Sequence, residues 1–131
     1  MVYTRSIMSR PSVAIGHVTL SVADIARGAE FYTLLGLRPI MQREAMAILE
    51  LRGGTHLLLF RAKGKPKKGA VRSFDFMVDD VDKARAPLAA AGLSCSEITC
   101  DRMSGHRMFD VTDPDGHVLT VYSTHADGRE V

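Results

Sequence analysis

The chain repeats itself. HVTLSVAD at 17–24 returns in outline as SFDFMVDD at 73–80. A shift of 56 positions sets Val22 on Val78, Asp24 on Asp80, Ile25 on Val81, Gly36 on Gly92 and Leu37 on Leu93. These are the positions a strand–helix unit needs: the end of a strand, a helix cap, the first helical residue and a helix stop. Duplication of one supersecondary unit is the simplest account. At 131 residues the chain has the size of one ordinary domain, so the two copies share a fold rather than forming separate ones.

The physics of each copy is legible. Val18, Leu20 and Val22 alternate with His17, Thr19 and Ser21, the period of a strand. Asp24 suits an N-cap, its carboxylate accepting from orphan backbone N–H groups. A helix over 26–35 follows, with Ala26, Ala29, Phe31, Tyr32 and Leu35 as its apolar stripe. Gly28 is expected to weaken it by up to about 1 kcal/mol relative to Ala, and Gly36 to stop it. In the second copy Asp80 caps, 81–91 is helical and Gly92 stops it. Pro87 falls mid-helix, where a kink or a lost hydrogen bond is expected.

Short strands follow each helix, at 37–42, 46–52 and 55–61, then at 94–100, 107–112 and 117–124. Gly53-Gly54 and the DPDG run at 113–116 supply turns. Each copy therefore reads as βαβββ, and the fold class as α+β: two tandem modules whose curled mixed sheets surround a cup-shaped cavity. The organisation is an N-terminal arm at 1–12, a first module at 13–61, a basic linker at 62–71, a second module at 72–124 and a tail at 125–131.

Hydrophobic residues make up 46% and charged residues 24% of the chain, a globular balance. Lys and Arg number 17 against 15 Asp and Glu, too even for a bulk polycation that binds nucleic acid. Six of the basic residues, and no acid, lie within 61–72, which reads as a solvated connection. No apolar run approaches the roughly 20 residues of a membrane span, and 1–12 has no apolar core of a secretory signal. A cytoplasmic protein is expected. Cys95 and Cys100 read as two thiols rather than a disulfide framework.

GHVTLSVAD at 16–24, Phe31-Tyr32, LGL at 35–37, FMVDDV at 76–81 and DPDGH at 113–117 together resemble the vicinal oxygen chelate superfamily, which includes glyoxalase I, bleomycin-resistance proteins and extradiol dioxygenases. The resemblance runs over about 15–123. It implies two four-stranded sheets that curl into half-cups, helices on their outer faces, and a ligand on the concave inner faces. The half-cups pair within a chain or across a dimer, and a homodimer is expected. In metal-using members four inward strand positions supply the ligands. Here the first is His17, which matches. The fourth-strand position falls on Leu58, the fifth-strand position on Ser73 and the eighth-strand position on Thr120. A divalent ion needs several imidazole or anionic donors, so the resemblance supports the fold and argues against the family's usual metal chemistry.

Alternation alone lists the inward side chains as His17, Thr19 and Ser21; His56, Leu58 and Phe60; Ser73, Asp75 and Met77; His106, Met108 and Asp110; Val118, Thr120 and Tyr122. Of these, His17, His56, Phe60, Ser73, Asp75, Met77, Met108, Thr120 and Tyr122 are the candidate ligand-binding residues, in a cavity of the mixed make-up that ligand pockets have. His106 and His117 flank turns and are expected to be exposed. The favoured function is capture of a small molecule without a metal or other cofactor. The alternative is a metal-dependent lyase, isomerase or dioxygenase with a shifted set, His17, His56 and Asp75. A metal-free enzyme with Asp75 or a His as general base is the third.

Overall fold

The computed structural model describes residues 10, 12–64, 74–103 and 105–124. Each half is a four-stranded mixed sheet with one helix. Sheet A comprises β1 (His17–Val22), β2 (Arg38–Gln42), β3 (Met46–Glu50) and β4 (His56–Arg61), and α1 (Ile25–Leu35) follows β1. Sheet B comprises β5 (Phe76–Val78), β6 (Thr99–Cys100), β7 (Arg107–Thr112) and β8 (Val118–Ser123), and α2 (Val81–Ala90) follows β5. The strand orders are β1-β4-β3-β2 and β5-β8-β7-β6, with β1–β4 and β5–β8 parallel. The two modules thus share one topology, as the repeat requires.

The repeated residues do the same work twice. Asp24 Oδ1 accepts from the Arg27 amide at 3.0 Å, and Asp80 Oδ1 from the Lys83 amide at 3.1 Å. Gly36 and Gly92 follow their helices at φ 125° and 80°, the left-handed region that favours glycine. One face of each sheet is covered by its helix. Leu20, Val22, Leu49, Leu57 and Leu59 pack with Ile25, Tyr32 and Leu35, while Phe109, Val111, Leu119 and Val121 pack with Val81 and Leu88. Gly28 is buried here, and a Cβ on it would lie 3.2 Å from Leu59 Cδ1. Its cost to the helix is offset by a close approach to the sheet.

Two details refine the sequence expectations. Pro87 does not break α2, which runs from Val81 to Ala90. Pro87 and Lys83 are both exposed, so the one carbonyl deprived of a partner lies on the solvent side. The sixth strand is only Thr99–Cys100, with a single bridge from Cys95 to Val111. The Ser96 hydroxyl accepts the Asp110 amide at 2.8 Å and Arg85 Nε donates to the Ser96 carbonyl at 2.8 Å, so side chains replace part of the ladder. The arm, apart from Arg10 and Ser12, most of the basic linker, Ser73 and the tail lie outside the described residues. Among the described residues no helix is long and apolar enough to cross a membrane.

Candidate functional site

The faces of the sheets opposite the helices remain open. On sheet A they carry His17, Thr19 and Ser21 from β1, Met46, Ile48 and Glu50 from β3, and His56, Leu58 and Phe60 from β4, all exposed or half-buried. Cross-strand register lines up four polar residues in one row: Arg38 opposite Glu50, Glu50 opposite His56, and His56 opposite His17. The side chains follow the row. Arg38 pairs with Glu50 Oε1, Glu50 Oε2 lies 3.5 Å from His56 Nε2, and the two imidazole centroids are 6.0 Å apart. Arg38 and Glu50 were not among the expected site residues. The available signal was alternation on β3, which sets Glu50 between Leu49 and Leu51 and so on the open face.

On sheet B the open face carries Met77, Met108, Asp110, Thr120 and Tyr122. Thr120 Oγ1 donates to Asp110 Oδ1 at 2.8 Å. His106 is half-buried instead of exposed: its ring stands edge-on to Tyr122, with centroids 4.7 Å apart, and its Nδ1 is 2.6 Å from the Ser123 carbonyl. Burial raises the Tyr122 phenol above its ordinary pKa, and the nearby charge of Asp75 pushes the same way. Asp75 itself is exposed. The shifted set named from the sequence is therefore divided: His17 and His56 are neighbours on sheet A, while Asp75 belongs to the other module and sits with Tyr122.

Asp75 and Tyr122 line a cleft of about 540 Å³ at the seam between the modules. Its apolar wall is Val18, Leu51, Phe74, Phe76 and Met77, and its polar groups are Arg52, Thr55, Asp75 and Tyr122. Of the candidate ligand-binding residues it gathers Asp75, Met77 and Tyr122. His17, His56 and Phe60 lie on the open face of sheet A, Met108 and Thr120 on that of sheet B, and Ser73 is outside the described residues.

The β7–β8 turn bolts the modules together. Asp113 Oδ2 accepts from the Tyr32 hydroxyl at 2.8 Å, and Asp115 Oδ1 accepts from the Ala23 amide at 2.8 Å. His117 Nε2 lies 2.9 Å from the Ser21 carbonyl, so that nitrogen carries the proton. His117 is 2% exposed, contrary to the expectation of a surface imidazole. The missed signal was period two: Phe109, Val111, Asp113, Asp115, His117, Leu119 and Val121 are all buried, so alternation continues straight through the turn. Asp113, Asp115 and His117 offer ligand atoms within 4.8 Å of one another, a donor set able to hold a metal. Asp113 Oδ1 already accepts the Asp115 and His117 amides, both at 2.9 Å, which gives the group a structural role as it stands.

The family profile described as Glyoxalase/Bleomycin resistance protein/Dioxygenase superfamily matches residues 14–121. The chain belongs to this superfamily. Among relatives of the glyoxalase superfamily chain, the uncharacterized protein YaeR of Escherichia coli (strain K12) is 30% identical over 121 residues, covering 82% of this chain and 94% of YaeR. The crystal structure of lactoylglutathione lyase from Agrobacterium tumefaciens superposes with a TM-score of 0.68 at 25% identity, over 92% of this chain and 100% of the lyase. Oxidase ChaP-H2 superposes with a TM-score of 0.71 at 23% identity, over 87% and 95%, a likeness of fold.

Superfamily members often bind a divalent metal, so the four positions implied by the resemblance can be tested here. His17 is on the open face with an imidazole to offer. Leu58 pairs with Thr19 across β1–β4 and has no donor atom. Thr120 offers a neutral hydroxyl already committed to Asp110. Ser73 is outside the described residues. One imidazole among three described positions does not make that metal site.

Proposed function

We propose that this superfamily member binds a small, partly apolar organic molecule in the cleft between its modules. The observation that carries this is the cleft itself: about 540 Å³, within the range of ligand pockets, with an apolar wall and a few convergent polar groups. A flat apolar body would rest against Phe74, Phe76 and Met77, and a hydroxyl or amine on it would donate to Asp75. The lyase and oxidase names of structural neighbours extend the reading to enzymes of those classes, with no step assigned to any residue.

The same reading includes a homodimer. Phe60 and Met77 are each 41% exposed on the open faces of the two sheets. Sheet A presents imidazoles where sheet B presents Asp110, so sheet A of one copy complements sheet B of another. Sedimentation showing a monomer at micromolar concentration would contradict this part.

Binding is tested with anilinonaphthalene sulfonate, followed by fluorescence. One saturable site is expected. Met77→Glu, which sets a negative charge into the cleft at a half-exposed position, should weaken this anionic dye by about tenfold or more, while His17→Ala leaves it unchanged. Equal dye affinity in wild type and Met77→Glu would end the proposal.

A further inference from the structure

The charge balance of the cleft is uneven. Arg52 lines it, but its Nη2 lies 3.1 Å from Asp79 Oδ1, a carboxylate outside the cleft lining, so that positive charge is already neutralised. Asp75 makes no hydrogen bond or ion pair among the described residues. One negative charge is left over. The Thr55 hydroxyl donates to the Ile15 carbonyl, which leaves it only acceptor lone pairs for a ligand. Tyr122 has a raised pKa, so its phenol stays neutral at physiological pH. Phe74 and Phe76 meet edge to face, their ring centroids 5.8 Å apart at 86°. Aromatic rings carry negative charge on their faces and attract cations there.

We propose that the cleft selects an organic cation, a flat apolar body bearing a protonated amine whose ammonium pairs with Asp75. This rests on the reading of the cleft as the ligand site and narrows it to one charge class. An ammonium brings only donors, which matches the acceptor atoms of Asp75 and Thr55. Asp75 is exposed, where an ion pair is worth little by itself. A body seated against the apolar wall shields the pair from water and strengthens it. An anionic body meets the opposite: Asp75 repels it, and Arg52 must leave Asp79 to receive it. A cation reaches Asp75 without displacing a partner among the described residues.

Three probes with one ring system test the charge class: tryptamine as cation, indole as neutral body and indole-3-acetate as anion, each titrated with the full chain. The chain has no tryptophan, so the fluorescence anisotropy of the indole ring reports the probe alone. Tryptamine should bind about three- to tenfold tighter than indole, and indole-3-acetate more weakly than indole. Asp75→Asn should bring tryptamine level with indole. Met77→Glu should tighten tryptamine while it weakens anilinonaphthalene sulfonate, opposite responses that damage to the cleft could not give. Tryptamine no tighter than indole, or an advantage that survives Asp75→Asn, would overturn the proposal. Tightest binding of indole-3-acetate would also overturn it, by assigning the cleft to anions through Arg52. If the sulfonate dye still saturates one site in those cases, the cleft reading stands and only the charge class falls.

Discussion

The hydroxyl of Tyr32 donates to Asp113 Oδ2 at 2.8 Å across 81 residues of chain. Tyr32 is fully buried and Asp113 is 4% exposed, so water does not replace the bond readily if it is cut. Tyr32→Phe should cost about 1–3 kcal/mol, the price of a buried acceptor left short of a donor. Asp113→Ala should cost more, about 3–5 kcal/mol, because it also strands the amides of Asp115 and His117. Denaturant unfolding of the two variants checks the order.

His117 tests the same seam from another side. Its Nε2–H serves the Ser21 carbonyl, and its Nδ1 is buried without a partner among the described residues. His117→Gln keeps an N–H donor of similar reach, whereas His117→Ala removes the donor and leaves a cavity. Alanine should lower stability by about 2–4 kcal/mol and glutamine by roughly half as much. Equal losses in thermal unfolding would show that the donor contributes nothing.

Gly28 poses a contest between helix propensity and packing. On propensity alone Gly28→Ala should gain about 0.5–1 kcal/mol. The new methyl would stand 3.2 Å from Leu59 Cδ1, and Leu59 is itself fully buried. We expect no gain in the wild-type background and a gain in Leu59→Val, which lacks that carbon. A double-mutant cycle read by chemical denaturation measures the coupling, and additivity would contradict it.

Tyr122 gives the fold an alkaline limit. Burial, and then Asp75, raise its pKa above the ordinary value of 10.0. Its contribution to stability is complete below the unfolded-state pKa and is lost as pH rises through the folded one, because the unfolded chain releases that proton first. Stability should therefore fall with pH above about 10. Tyr122→Phe should flatten this fall, and Asp75→Asn should lower the phenol's titration midpoint slightly. Absorbance titration of the phenolate, wild type minus Tyr122→Phe, follows both.

Local chemistry explains how much could be read beforehand. Asp24 and Asp80 cap helices, and Gly36 and Gly92 end them, through contacts within a few residues, and those elements stand where the repeat set them. The sixth strand depends on Ser96 and Arg85 meeting Asp110 and the Ser96 carbonyl across the fold, which no local pattern encodes. At the site, alternation gave the open faces, including the neighbouring His17 and His56. It also sets Glu50 on the open face and His117 inward, but the meaning of Glu50 comes from the register of three strands, and a turn suggests solvent for His117. Asp75 was grouped with the histidines by face alone, and face does not say how two sheets sit against each other.

The bolt at the β7–β8 turn has a consequence for biosynthesis. Ser21, Ala23 and Tyr32 receive their partners from residues 81 to 96 positions later. A ribosome delivers the first module long before those partners exist. The early half therefore waits with an unsealed seam, and closure is a late event, after nearly all of the second half has been translated.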